Sequence, residues 1–64
     1  MNLNYNYQII IKYNNGLVGF LCCFLYSNDA REMWKIYTEK YTYEHCTLQL
    51  LQWNNKVLEE KKFN

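Results

Sequence analysis

The strongest constraint on the fold is an uninterrupted apolar run, Leu17 to Tyr26, whose ten residues carry no charge. Asn14-Asn15-Gly16 precede the run and Ser27 follows it, and these residue types are typical of turns and helix starts. A short run that is bounded in this way and rich in aromatic and branched side chains predicts a β-strand covered on both faces. Because a small chain has little material to cover two faces, we expect another molecule to cover one of them.

The length and composition predict one folded domain spanning residues 1–64. A chain of 64 residues would have no core in either half if it were split. Half of the residues are hydrophobic and 19% are aromatic, which is too apolar for a disordered segment. A single core of this size rarely yields more than about 3–5 kcal/mol. A disulfide, a metal or an oligomer must therefore be considered as a source of stability.

Charge and apolar length restrict the partners and the compartment. Seven Lys and Arg residues against six Asp and Glu give a net charge of +1, which provides no strong field for nucleic acid or an anionic membrane. The first eight residues lack the basic start and apolar segment of a signal peptide. The longest apolar run is half of the roughly 20 residues that a bilayer requires. We expect a cytoplasmic protein, without membrane association, whose three cysteines are reduced thiols.

The first part of the chain predicts a β-hairpin. Tyr5 to Tyr13 alternates, with Tyr and Ile on one face and a more polar set on the other. Asn14-Asn15-Gly16 is a tight turn, since Asn and Gly tolerate positive φ. In the second strand neither face is polar, and Gly19 predicts a bulge or a close approach by another group. Strict alternation there predicts one face formed by Val18, Phe20, Cys22, Phe24 and Tyr26.

A helix is predicted after the hairpin. Ser27 is a favourable N-cap, and the acidic residues of the first turn suit the helix dipole. The helix should run to about Lys40. Its apolar residues recur at helical spacing on a single stripe, which consists of Ala30, Met33, Trp34, Tyr37 and Tyr41.

The last third of the chain predicts a second hairpin. Cys46 to Trp53 is strand-like, Asn54 to Lys56 is a short turn, and Val57 to Phe63 is a charged strand. Lys and Glu on that strand are typical of a sheet edge that resists pairing with other chains. A helix through the sequence VLEEKK is the alternative interpretation.

These elements predict an α+β fold with the order β-β-α-β-β, a four-stranded, mostly antiparallel sheet with one helix on one face. The order 2-1-3-4 and an order containing a parallel pair both remain open. The opposite face of the sheet should be uncovered. We expect it to carry Ile10, Phe20, Phe24, Tyr26, Leu51 and Trp53, or their alternates if the register shifts by one residue.

The cysteines and the single histidine are the candidate chemical groups. Cys22, Cys23, His45 and Cys46 form a set of ligand types that zinc accepts. Adjacent strand residues point to opposite faces, however, so Cys22 and Cys23 should not bind one ion. A disulfide from either residue to Cys46 would be unfavoured in a reducing compartment. A Cys–His nucleophile pair would need His45 to approach one of the thiols and a third group to orient it.

No other pattern in the sequence predicts catalysis or a cofactor. The two glycines, Gly16 and Gly19, are isolated and form no phosphate-binding loop. Glu59 and Glu60 are neighbours that diverge on a strand and are followed by two lysines, which is typical of a solvated edge. We therefore predict a protein that is not an enzyme, with no cofactor and no metal.

An aromatic sheet face predicts binding, either to protein or to nucleic acid. Bases stack on exposed aromatic rings, but phosphate neutralisation needs a basic stripe, and the lysines here are scattered among acids. Apolar patches are rarely bare on a monomer, and Tyr and Trp are common interface anchors. We therefore expect a homodimer or a higher oligomer, packed sheet to sheet or edge to edge. A nucleotide-binding or nucleic-acid-binding module is the alternative.

The layout as a whole resembles small proteins encoded by phages and other mobile elements. The resemblance lies in the turn NNG (14–16), the helix segment DAREMW (29–34) and the closing hairpin TLQLLQWNNKVLEE (47–60). Proteins of this type, including anti-CRISPR and other anti-defence proteins, act by binding and blocking a host protein. The resemblance therefore implies a stoichiometric inhibitor. Our predicted contact residues are the aromatic and apolar set of the open face together with the polar helix residues Arg31, Lys35 and Glu39.

Overall fold

The computed structural model describes residues 6–40 and 42–64. It contains strands β1 (Tyr7–Tyr13) and β2 (Val18–Phe24), helix α1 (Ser27–Glu39), and strands β3 (Cys46–Gln52) and β4 (Lys56–Phe63). The strands form one antiparallel sheet in the order β2-β1-β3-β4, with α1 on one face. The predicted α+β fold is confirmed, and the helical alternative for the last segment is wrong. The predicted strand position Tyr5 and stripe position Tyr41 lie outside the described residues.

Two asparagine-containing turns close the two hairpins. Between β1 and β2, the Gly16 amide donates to the Tyr13 carbonyl at 3.0 Å and the Tyr13 amide donates to the Leu17 carbonyl at 2.8 Å. Gly16 has φ 94°, so this turn is the three-residue type that ends in a left-handed glycine. Between β3 and β4, Asn54 and Asn55 have φ values of 72° and 66°, as a type I′ turn requires. The predicted turns are confirmed.

A β-bulge in β2 changes which side chains face the helix. Ile10 pairs with Phe20, and the residue before it in β1, Ile9, pairs with Cys22. Leu21 therefore has no partner of its own in β1 and is an extra residue in β2. Phe20 therefore lies on the open face, whereas Phe24 lies on the helix face and packs against the core. The expected position of Phe24 on the open face is wrong, because one inserted residue reverses the alternation for the rest of the strand.

The core lies between α1 and the two central strands. One cluster is formed by Ile9, Ala30 and Leu50, each with an exposed fraction of 0%. The other cluster is formed by Ile11, Cys46 and Leu48. The predicted helix stripe is confirmed for the described residues, since Met33, Trp34 and Tyr37 pack against these clusters together with Ala30.

The N-cap of the helix lies one residue earlier than predicted. Tyr26, in an extended conformation, is the N-cap, and its carbonyl accepts the Ala30 amide at 3.1 Å. Ser27 is already the first helical residue, and no side-chain hydrogen bond caps this end. Ser27 is therefore not the N-cap, because the backbone hydrogen bond from Ala30 to Tyr26 includes Ser27 in the first turn.

At Gly19 a side chain of β1 approaches the backbone of β2 closely on the helix face. Gly19 pairs with Ile11, and a Cβ at position 19 would lie 2.9 Å from Cγ2 of Ile11. Ile11 is buried in the core, so this methyl group has little room to move. The predicted close approach at Gly19 is confirmed.

We expect Gly19→Ala to lower the free energy of unfolding by about 1–3 kcal/mol, because the new methyl group overpacks against Ile11. Urea unfolding followed by circular dichroism measures this difference. Val57→Ala on β4 is the control, since Val57 is 47% exposed and its truncation creates no clash. An unchanged midpoint for Gly19→Ala would show that Ile11 moves aside at no cost.

Candidate interaction surfaces

The two edges of the sheet differ in charge. Edge strand β4 carries five charged residues, namely Lys56, Glu59, Glu60, Lys61 and Lys62. Edge strand β2 carries none. Charged side chains discourage edge-to-edge pairing, so β4 is protected and β2 is not. The prediction of a charged last strand at a sheet edge is confirmed.

The β2 edge, defined here as residues 17–21, is the most exposed apolar segment of the sheet. Leu17, Val18 and Phe20 are 64%, 60% and 57% exposed. The open face of this strand is therefore uncovered in the single chain, and its covering by another molecule stays a prediction. The strand also lies at an edge of the sheet, because β1 rather than β2 takes the central position and pairs on both sides.

The backbone of the β2 edge presents hydrogen-bonding groups to solvent. The Leu17 carbonyl accepts from Tyr13 of β1, so Leu17 and, two residues on, Gly19 direct their backbone groups toward β1. Val18 and Phe20 alternate with these two residues, so their backbone amide and carbonyl groups point away from the sheet. No strand of the described ranges 6–40 and 42–64 pairs with this side of β2.

The open face, on the side of the sheet away from α1, is apolar near β2 and polar near β4. One row across the strands runs from Phe20 through Ile10 and Gln49 to Glu60. The Gln49 side-chain amide donates to the Glu60 carboxylate at 2.6 Å. Of the residues predicted for this face, Ile10, Phe20 and Leu51 do lie there, but Leu51 is only 5% exposed and offers little surface to a partner.

Three exposed apolar residues belong to chain segments at one end of the sheet, and we call this group (Leu25, Tyr26 and Trp53) the end patch. Asn6 joins the two chain segments that carry them. Its backbone amide donates to the Phe24 carbonyl at 2.9 Å, and its backbone carbonyl accepts from the Trp53 backbone amide at 2.6 Å. Tyr26 and Trp53 are 67% and 69% exposed, the largest values among the exposed hydrophobic residues described.

The predicted polar contact residues lie on the helix side of the sheet, opposite the open face. The Arg31 guanidinium donates to the Glu59 carboxylate at 3.1 Å, across from α1 to β4. Lys35 and Glu39 are exposed on α1. Because α1 covers the other face of the sheet, a flat partner surface that contacts Phe20 on the open face does not also reach these helix residues.

The topology separates the candidate cysteine ligands. Cys22 pairs with Ile9 and Cys46 pairs with Tyr13, on opposite sides of β1. Two strand spacings and four residues along the strand place their Cα atoms roughly 16 Å apart, and a disulfide needs less than about 7 Å. Cys23 pairs with Gln8 and faces away from Cys22. The segments 6–40 and 42–64 contain no cluster of metal-ligating side chains.

The three thiols differ in burial, and burial changes the acidity of two of them. Burial raises the pKa of Cys22, an effect that a side-chain hydrogen bond with Tyr37 partly opposes. Burial also raises the pKa of Cys46, which is 1% exposed. Cys23 is exposed.

We expect one thiol, that of Cys23, to react with an aromatic disulfide reagent at pH 8 at least about tenfold faster than the other two, because thiolate fraction and access both limit the rate. Absorbance of the released thiol measures the phases. Cys23→Ser should remove the fast phase and leave the slow ones. Three equal rates in the folded protein would contradict the burial of Cys46.

Sequence reasoning named Tyr26 and Trp53 as contact residues of the open face, but it did not predict that they lie beyond the ends of their strands or that the backbone of β2 is exposed. The end patch depends on hydrogen bonds of Asn6 to two segments that are distant in sequence, and no local pattern carries that information. The β2 edge did leave a signal, since the charges of the strands are concentrated on β4 and absent from β2.

Comparison of this chain with protein-family models, curated proteins and solved structures gave no match. Among the described residues, no helix has the length and apolar character needed to cross a membrane.

Proposed function

We propose that this chain is a small, non-catalytic binding protein that acts by stoichiometric interaction with another protein, and that the end patch is its contact site. The observation that carries the proposal is the exposure of Tyr26 and Trp53 at the same end of the sheet. Trp and Tyr are the residues most enriched among the anchors that dominate binding energy at protein interfaces. The backbone segments that carry these two residues are joined by the hydrogen bonds of Asn6, so we expect little backbone rearrangement on binding.

The class of partner follows from the resemblance to small phage and mobile-element proteins. We propose that the partner is a host protein, and that binding inhibits a host defence component by occupying its surface. A rigid domain of 64 residues with a net charge of +1 is suited to this role, because it needs no cofactor and no catalytic group to block a partner.

The test is a quantitative pull-down in which the purified protein captures its partner from a lysate of the host cells of the encoding phage or mobile element. Mass spectrometry then identifies the captured protein. Tyr26→Ala combined with Trp53→Ala should lower recovery of the bound protein, because loss of an aromatic anchor costs about 2 kcal/mol or more, a roughly 30-fold loss of affinity. Tyr13→Ala is the matched control, since Tyr13 is an exposed aromatic residue at the other end of β1. Recovery of no stoichiometric protein, or equal recovery by all variants, contradicts the proposal.

The second candidate is a nucleotide-binding or nucleic-acid-binding module, and one feature of the open face favours it. Lys12 and Lys62 occupy the same cross-strand row, on either side of Thr47, and Phe20 lies one row away. Oligonucleotide binding that weakens steeply with salt, and that is lost in Lys12→Ala, would support this function instead.

A further inference from the structure

We propose that two copies of this chain pair through their β2 edges and form a homodimer with one continuous antiparallel sheet. In this dimer the residues around Gly19 of one copy lie beside those of the other. Val18 of each copy then lies opposite Phe20 of its partner. The interface is the β2 edge, which is separate from the end patch and leaves that patch exposed for another protein.

The charge difference between the two edges selects a second copy of β2 rather than β4 as the occupant. Pairing of β2 with the β4 edge of a neighbour would place apolar side chains beside a strand with five charges, and it would repeat without end along a fibre. Pairing of β2 with β2 is related by a two-fold axis and closes after two copies. The charges of β4 then protect both outer edges of the joined sheet.

The backbone geometry determines the register. Val18 and Phe20 direct their amide and carbonyl groups away from β1, and these groups are the ones that an added strand bonds. The bulge at Leu21 ends the regular part of the edge on one side, and the turn at Gly16 ends it on the other. The strand itself begins at Val18, so its regular part before the bulge runs from Val18 to Phe20. The centre of this part is Gly19, and we place the two-fold axis there.

The side chains of the β2 edge complement one another in this register. On the open face, Val18 of one copy packs against the ring of Phe20 in the other, and aromatic residues opposite β-branched ones are a favourable cross-strand pair. On the helix face, the two Gly19 residues meet without side chains that would clash. Val18 and Phe20 are 60% and 57% exposed in the single chain, so their contact across the interface removes apolar surface from water.

The first test is the molar mass of the protein by sedimentation equilibrium at several concentrations. We expect the wild type to approach twice its chain mass of 7.9 kDa. Two variants probe the register, one with Val18→Lys and Phe20→Lys and the other with Val18→Glu and Phe20→Glu. Each places like charges opposite one another, so we expect each to dimerise about a hundredfold more weakly. An equimolar mixture of the two should regain the dimer mass. Val57→Lys, at the other edge, should remain dimeric.

The second test uses amide hydrogen exchange of the wild type and does not depend on a variant that folds. The amides of Val18 and Phe20 should become protected as protein concentration rises. The Gly19 amide faces β1, so its protection should not require the dimer. This contrast within three adjacent residues distinguishes edge pairing from a general rise in stability.

The outcomes separate this proposal from the proposed function. A wild-type mass of 7.9 kDa at all concentrations, a dimer that persists in both charged variants, or open-ended assemblies would each overturn the β2 pairing. Exchange at Val18 and Phe20 that is independent of concentration would overturn it as well. None of these results changes the pull-down expected from Tyr26 and Trp53, and failure of the pull-down leaves the measured mass unaffected.

Discussion

Leu50→Ala is expected to unfold most of the protein at 25 °C. Leu50 has an exposed fraction of 0% and lies on β3 in the same core cluster as Ile9 of β1 and Ala30 of α1. Truncating a fully buried leucine costs about 2–5 kcal/mol, because it removes apolar contacts and leaves a cavity. A core of this size supplies only about 3–5 kcal/mol in total. The loss is therefore comparable to the whole stability of the domain.

Urea unfolding monitored by far-ultraviolet circular dichroism measures the effect of Leu50→Ala. Leu25→Ala is the matched control, since it makes the same substitution at a side chain that is 45% exposed and lies outside the β2 edge. We expect the control to change the free energy of unfolding by about 1 kcal/mol or less. Equal midpoints for the two variants would show that the core does not form around Leu50.

Ala30→Leu is expected to be the second most damaging change. Ala30 is the fully buried residue of α1 in the core cluster, and its exposed fraction is 0%. A leucine there needs space that Ile9 and Leu50 already fill. Overpacking of this kind costs about 1–3 kcal/mol, which corresponds to a fall of roughly 5–20 °C in Tm for a domain of this size.

The control for Ala30→Leu is Lys35→Leu, on the exposed side of the same helix. Leucine, lysine and alanine all have high helix propensity, so neither change disturbs the helix itself. We expect thermal unfolding of the control to resemble that of the wild type. A similar Tm for both variants would mean that α1 does not lie close to the sheet at position 30.

Local patterns were sufficient for the elements and for much of the core. Alternation in β1, the asparagine turns and the stripe Ala30, Met33, Trp34 and Tyr37 each act within a few residues, so the chain specifies them through neighbours in sequence. The register of β2 was not accessible in this way. The extra residue at Leu21 is defined only by pairing with β1, and it moves Phe24 from the open face into contact with the core.

The sequence by itself determined the α+β class, the order of elements, the two turns and the protected edge at β4, because these depend on local backbone preferences and on the period of apolar residues. Tertiary structure alone decided that β1 is central and β2 is an edge, and that Tyr26 and Trp53 share one end of the sheet. The physical reason is that strand pairing is made by backbone hydrogen bonds, which join residues far apart in sequence and leave little trace in the side chains.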